Sequence, residues 1–243
     1  MKALILADIH SNLEAFQSML ADAQARGGFD EIWCLGDVVG YGADPGPCID
    51  LLRQHKHSCI AGNHDWASAG KLSLDEFNPI AAQANLWTAS QLSDDHKQYL
   101  ADLPLRLEMQ DFTLVHGSPV DPIWEYIVSL STAAISFQHF KTKYCLVGHS
   151  HIPFMCALLE DRCIYVDFPI GTPVHLGEHR LIINPGAVGQ PRDGDPRASY
   201  VLYDSDKNTL LRLRAEYPVK TAMVKIVKAG LPPFLAERLS YGK

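Results

Sequence analysis

Five polar clusters in this chain each follow directly on a run of apolar residues. They are Asp8-Ile9-His10, Gly36-Asp37, Gly62-Asn63-His64-Asp65, His116-Gly117 and Gly148-His149-Ser150-His151. Taken singly, each has an ordinary reading. Asp8 would be an acid at a helix start, Asn63 a turn residue, and His116 a satisfied polar side chain. Taken together they offer carboxylates, one amide and several imidazoles, a donor mix that suits divalent ions such as Mn, Fe, Co or Zn. An all-thiolate set would indicate structural zinc, and an all-oxygen set Mg or Ca. The set is too large for one ion. Two ions about 3.5–4 Å apart, sharing one carboxylate, could clamp an attacking oxygen between them.

For these residues to meet, the apolar runs before them must be strands with a common carboxyl edge, where ligands bind in sheet-based folds. Lys2 to Ala7, Glu31 to Leu35 and Ser58 to Ala61 read as strands. The first is followed by a helix capped by Ser11 or Asn12, whose apolar face is Leu13, Phe16, Met19, Leu20 and Ala23, and which stops at Gly27-Gly28. A second helix covers Pro45 to His55. This βαβαβ opening implies parallel strands with right-handed crossovers. Alternation along the first strand is expected to turn Asp8 and His10 to the same side. Further along, Phe77 to Leu100 is helical with a break near Ser93 to Asp95. Leu105 to Met109 and Phe112 to Val115 form a hairpin, Ser131 to Phe140 a helix, and Tyr144 to Val147 a strand. Strands then dominate: Phe154 to Leu159, Cys163 to Val166, Arg180 to Ile183, Ala198 to Tyr203 and Leu210 to Ala215. With no linker, residues 1–243 read as one domain with a C-terminal helical segment from about 219, split at Pro232-Pro233. Two mixed sheets packed face to face with helices outside would satisfy this order. The apolar face of the last segment (Val224, Ile226, Val227, Leu231, Leu235, Leu239) would serve packing or a homodimer.

Bulk properties narrow the partners. The chain has 243 residues, 47% hydrophobic and 20% charged, and a formal net charge of −7. That balance argues against bulk binding of nucleic acid or a membrane surface, while leaving room for a small anion held through metal ions. No apolar run is long enough to span a bilayer and the first residues lack a signal-peptide layout, so a cytoplasmic location is expected. The six cysteines form no CxxC pair and sit mostly in apolar runs, which reads as structural thiols.

The five clusters, in this order, resemble the motif series of the calcineurin-like metallophosphoesterases. Asn184-Pro185-Gly186-Ala187-Val188 is similar to a turn of the small bacterial and archaeal phosphodiesterase branch. The resemblance implies an α/β fold, a four-layer α/β/β/α sandwich of two mixed sheets flanked by helices, and a site with two divalent ions. Mn, Fe or Zn come first, with Mg, Co or Ni as alternatives. It implies that Asp8, His10 and His151 bind one ion, Asn63, His116 and His149 the other, and that Asp37 bridges them. His64 would serve the leaving-group oxygen or orient the phosphate, and Asp65 would either orient His64 or act as an acidic group beside the metals or as a cap. The implied activity is phosphodiester hydrolysis by in-line attack of a metal-bridging hydroxide on a small phosphate ester or nucleotide. A phosphomonoesterase or nucleoside polyphosphate hydrolase on the same site is the alternative, and a non-catalytic scaffold a further one.

The chain departs from the family at one point. Protein phosphatases and symmetric dinucleoside tetraphosphate hydrolases carry an arginine shortly after the GD motif, whereas Asp37 here is followed by Val38-Val39-Gly40-Tyr41-Gly42. Arg192, after the NPG turn, is the expected replacement, because a guanidinium suits bidentate phosphate contact. Asn63 and His64 would share in substrate binding. Trp124 and Tyr126 would either stack on a base or anchor their loop by packing. Of the histidines outside the motifs, His175 and His179 are expected to come nearest a rim.

Overall fold

Period-two alternation of fully buried residues builds the centre of the molecule. The computed structural model describes residues 1–160 and 162–243. Strand β1 (Lys2–Leu6) buries both faces: Ala3 and Ile5 enter one cluster, Leu4 and Leu6 another. A strand covered on both sides must lie in an inner layer. The first sheet has the order β3-β2-β1-β11-β12-β9, from β1, β2 (Glu31–Cys34), β3 (His57–Cys59), β9 (Val174–His175), β11 (Ala198–Asp204) and β12 (Thr209–Ala215). Its β1, β2 and β3 are mutually parallel, and β11 runs antiparallel to β1.

The second sheet has the order β4-β5-β6-β10-β7-β8, from β4 (Arg106–Met109), β5 (Phe112–Val115), β6 (Tyr144–Leu146), β7 (Phe154–Leu159), β8 (Arg162–Tyr165) and β10 (Arg180–Asn184). Here β5, β6 and β10 are parallel, with antiparallel neighbours on either side. Trp33, Phe112, Tyr144 and Leu146 pack with Ala3 and Ile5 between the sheets.

Helices close the outer faces. Leu4, Leu6, Ile32 and Cys34 meet residues of α1 (Leu13–Ala25), α2 (Pro45–Arg53), α4 (Pro79–Gln91), α5 (Asp94–Asp102), α7 (Val219–Lys228) and α8 (Pro233–Glu237). Asn12 caps α1, its side chain accepting from the Ala15 N–H at 3.1 Å. On the second sheet, α6 (Leu130–Ser136) and the turn after it bury Ala133, Phe137 and Phe140 against Cys145, Val147 and Ile182. The Arg180 guanidinium donates to the Phe137 and Phe140 carbonyls at 2.9 and 2.6 Å, so α6 stops before the expected Phe140. The layers are thus helices, sheet, sheet, helix.

Three further differences have local causes. Residues 62–65, expected as a turn, open the short helix α3 (Asn63–Ser68), and β9 was not expected. His175 pairs with Thr209 and His179 precedes β10, so both lie at the edge opposite the carboxyl ends of the parallel strands. In the C-terminal segment Ile226, Leu231, Leu235 and Leu239 are buried on the body, whereas Val224 and Val227 are about half exposed. All six cysteines are free thiols. No helix among the described residues is long and apolar enough to cross a membrane.

Candidate metal centre

The carboxyl ends of β1, β2 and β3 in one sheet meet those of β5 and β6 in the other. The His116 Nδ1–H donates to the Leu35 carbonyl at 2.8 Å, lacing the two edges together, and the Gly148 N–H donates to the His116 carbonyl at 2.8 Å, joining the ends of β5 and β6 within the second sheet. Two groups of buried side chains result: Asp8, His10 and His151, and Asp37, His116 and His149. Asn63 joins the second group, its Oδ1 lying 3.2 Å from His116 Nε2. Asp37 faces both, with Oδ2 3.6 Å from His10 Nε2 and 3.3 Å from His116 Nε2.

Strand alternation is not what aligns Asp8 with His10. β1 ends at Leu6, and Asp8 and His10 adopt left-handed backbone with φ of 57° and 47°. Asp37, His149 and His151 do the same, at 54°, 63° and 60°. Left-handed backbone costs an L-residue with a β-carbon roughly 1–2 kcal/mol. Hydrogen bonds hold it here: Asp8 N–H to the Gly36 carbonyl, His10 N–H to the Asp37 carbonyl, and Gly189 N–H to the Asp8 carbonyl, all 2.9–3.0 Å.

The donor set fits divalent cations. His10, His116 and His151 each turn Nδ1 to a backbone carbonyl (Val39, Leu35 and Gln190), at 2.6–3.0 Å. A carbonyl only accepts, so Nδ1 carries a proton, and once the ring is neutral Nε2 is the atom that presents a lone pair to a cation. Yet His10 Nε2 lies 3.1 Å from His151 Nε2, and His116 Nε2 lies 3.1 Å from His149 Nδ1. Asp8 Oδ1 and Oδ2, Asp37 Oδ2 and His149 Nε2 are buried with no hydrogen-bond partner among the described residues. Acceptors crowded together in a buried site without donors call for positive charge between them.

Protonation follows the same electrostatics. Burial pushes the Asp8 carboxyl up to about 8. Burial also opposes ionisation of Asp37, but His116, His64 and His10 around it win and hold its carboxyl below the ordinary range. Burial works against protonation of His116, and the Asp37 carboxylate overrides it, raising the imidazole to about 10. His10, His149 and His151 are lowered, chiefly by burial.

A cleft of about 120 Å³ opens over this centre, lined by His64, Asn63, Phe77, Trp124, Tyr126 and Arg192 among others. Tyr126 stacks on His149 at 3.8 Å between centroids, and Trp124 packs edge-on to Phe77 at 4.9 Å. The two aromatics expected either to stack on a base or to anchor a loop therefore form the cleft wall. Arg192 lines the cleft, with Nη2 donating to the Gln190 side chain at 2.8 Å.

His64 sits at the cleft with Nδ1 2.9 Å from Asn85 Oδ1. Of the roles expected for Asp65, the structure matches the cap and not the partner of His64: its two oxygens accept from the backbone N–H groups of Asp37, Gly62 and Val39 at 2.7–3.1 Å. Asp65 fixes the Asp37 loop and the start of α3 rather than the His64 ring. Asn85, 1% exposed on α4, was missed in the sequence. The available signal was a polar residue on the same helical face as Ala81, Ala84 and Thr88.

The model of the calcineurin-like phosphoesterase superfamily domain matches residues 1–208. The chain is 40% identical to the uncharacterized protein MJ0912 of Methanocaldococcus jannaschii, over 98% of this chain and 97% of that protein. It is 27% identical to the symmetrical bis(5'-nucleosyl)-tetraphosphatase of Haemophilus ducreyi, over 55% of this chain and 50% of that protein. The crystal structure of a metallophosphoesterase from Sphaerobacter thermophilus, 45% identical, superposes with a TM-score of 0.89 over 100% of this chain and 99% of that one. The protein PH1004 of Pyrococcus horikoshii OT3 shares the fold at a TM-score of 0.81 and 21% identity, covering 100% of this chain and 98% of its own.

Proposed function

Because the chain belongs to the calcineurin-like phosphoesterase superfamily, a group of hydrolases acting on phosphate esters, we propose that it is a two-cation phosphodiesterase. The observation that carries this reading is the position of Asp37 Oδ2, within 3.6 Å of His10 Nε2 and 3.3 Å of His116 Nε2, between two groups of unpartnered buried acceptors. Asp8, His10 and His151 would hold one cation, Asn63, His116 and His149 the other, with Asp37 shared. Bound there, Mn, Fe or Zn would supply an activated water at neutral pH and offset charge on the phosphate.

The chain's own groups do the rest. Arg192 binds a non-bridging phosphate oxygen from the cleft wall, and Asn63 and His64 line the cleft beside it. Because Asn85 Oδ1 accepts from His64 Nδ1, Nε2 is the ring nitrogen left for the leaving-group oxygen. Donation from Nε2 needs a second proton on the ring. Burial opposes that proton, and the negative charge of Asp37 favours it. Asp65 acts as a positioning residue through the loop it pins.

Charge supports the diester over the monoester. Arg192 is the one cationic side chain lining the cleft among the described residues, and Glu76 stands in the same wall. A phosphodiester brings one negative charge and a monoester up to two. Phe77, Trp124 and Tyr126 also provide apolar and aromatic surface for a base or an aryl ester group. The same aromatic wall keeps a nucleoside polyphosphate as the second reading, since the partial relative from Haemophilus ducreyi is named a tetraphosphatase.

The test is turnover of bis-p-nitrophenyl phosphate against p-nitrophenyl phosphate, by chelator-stripped protein with and without added Mn²⁺. Metal-dependent turnover favouring the diester is expected. Preference for the monoester would replace this reading with a phosphatase, and no turnover of either by metal-loaded protein would return the scaffold reading.

A further inference from the structure

A cavity outside the cleft is lined by a charged side chain with no ion pair among the described residues. It has a volume of about 410 Å³ and is lined from both sheets: Arg212 comes from β12, Phe154, Met155 and Tyr165 from β7 and β8, and Ile152 and Phe168 from the segments beside them. That volume and an apolar lining with few polar groups are characteristic of small-molecule sites. Its walls are partly wetted apolar surface, with Tyr165 56% and Ile152 42% exposed.

Arg212 is the distinctive group. Its guanidinium lies over the Phe168 ring, 5.5 Å from the centroid. Its Nε is buried without a hydrogen-bond partner among the described residues, and no carboxylate among them forms an ion pair with it. Asp167 also lines the cavity, but it is exposed and makes no ion pair with the guanidinium among the described residues. Arg214, two residues along the same strand, also has a buried Nε without a partner, but its Nη atoms pair with Asp193 and donate to the Arg197 carbonyl at 2.8 Å, whereas none of the hydrogen bonds or ion pairs among the described residues uses the Arg212 guanidinium. A guanidinium held half-buried with donors to spare seeks an acceptor, and a planar fork favours carboxylate, phosphate or phosphonate.

We propose that this cavity is a second ligand site, which takes a small anion with an aromatic body: the anionic group on Arg212, the ring between Phe168, Tyr165 and Ile152. The mouth of this site adjoins the candidate centre along the chain, because Ser150 lines the cavity between His149 and His151. It owes nothing to the two-cation reading, since none of its contacts uses a bound cation.

The test is a titration of phenylphosphonate, which has no hydrolysable ester, into full-length chelator-stripped protein labelled with ¹³C-methyl methionine. Of the five methionines, Met155 lines this cavity and none lines the cleft. A saturable shift of the Met155 methyl, at roughly millimolar affinity or better, is expected. Arg212→Leu should weaken it by about tenfold or more, while neutral benzyl alcohol binds both proteins alike. Ile152→Trp, which fills the cavity and keeps the arginine, should abolish both responses, with unchanged Met19 and Met223 methyls reporting an intact fold. An unmoved Met155 methyl, or equal phenylphosphonate affinity in Arg212→Leu, would overturn the proposal.

Discussion

At the scale of single residues, the pairing of His64 with Asn85 would set what the leaving-group side of the proposed site can do. Asn85 Oδ1 is fixed from two directions, by His64 Nδ1 at 2.9 Å and the Ser68 hydroxyl at 3.3 Å. His64→Ala should reduce turnover of esters with poor leaving groups by about 100-fold or more, and of p-nitrophenyl esters much less, with metal content unchanged. Asn85→Ala should follow the same pattern at about tenfold, in kcat rather than KM. Asn85→Asp adds a charge beside the ring, so the alkaline limb of the pH–rate profile should move upward; equal losses for good and poor leaving groups would remove His64 from this role. The candidate ligand residues were legible because their types cluster at strand ends. Asn85 was not, because nothing near it in the chain is unusual, and a polar residue on a buried helical face gains meaning only once its partner is known.

At the scale of elements, the site is made by loops rather than by strands. The strands, their parallel sense and their common edge could be read from apolar runs alternating with amphipathic helices. The alignment of Asp8 with His10 could not, since it depends on left-handed backbone that hydrogen bonds to the 36–38 and 189 segments sustain. Close approach there leaves no room for a side chain at Gly189: a methyl would sit 1.8 Å from the Ile9 carbonyl oxygen. Gly189→Ala should therefore destabilise the fold by about 3 kcal/mol and lower metal content. Gly230→Ala is the control. Its φ is 73° but nothing lies within 4 Å of an added methyl, so the cost should be only about 1 kcal/mol with metal content intact. Equal losses of melting temperature would contradict this account of the loop. Helix α3 was read as a turn because its cap is Gly62, whose N–H is met by Asp65.

At the scale of the whole molecule, burial couples the site to pH. From the protein groups alone, burial raises the Asp8 carboxyl and the Asp37 carboxylate raises the His116 imidazole against the opposing effect of burial, so both hold their protons more tightly than usual and a cation must displace them. Both are raised above their ordinary values. Protonation therefore stabilises the stripped protein below those ordinary values, and that contribution is lost as pH rises through the raised values, first of Asp8 and then of His116. Metal affinity runs the other way. Between pH 6 and 8 it should rise by about tenfold per unit for each proton displaced, with proton release visible by calorimetry in buffers of different ionisation enthalpy. A flat dependence would contradict these assignments. The four-layer order was legible from the element sequence and the family resemblance. The packing of the C-terminal segment on the body was not, because its apolar face served docking and dimerisation equally. In the fold Lys225 binds Glu14 and Asp44 at 2.5 and 2.8 Å, tying α7 to the loop that ends beside the centre.

The central claim is that two cations share Asp37, and titration of stripped protein with Mn²⁺ followed by electron paramagnetic resonance tests it most directly. Two Mn²⁺ per chain with an exchange-coupled signal are expected, and Asp37→Asn should abolish the coupling. Saturation at one Mn²⁺ per chain, or two ions with uncoupled six-line spectra, would contradict the account.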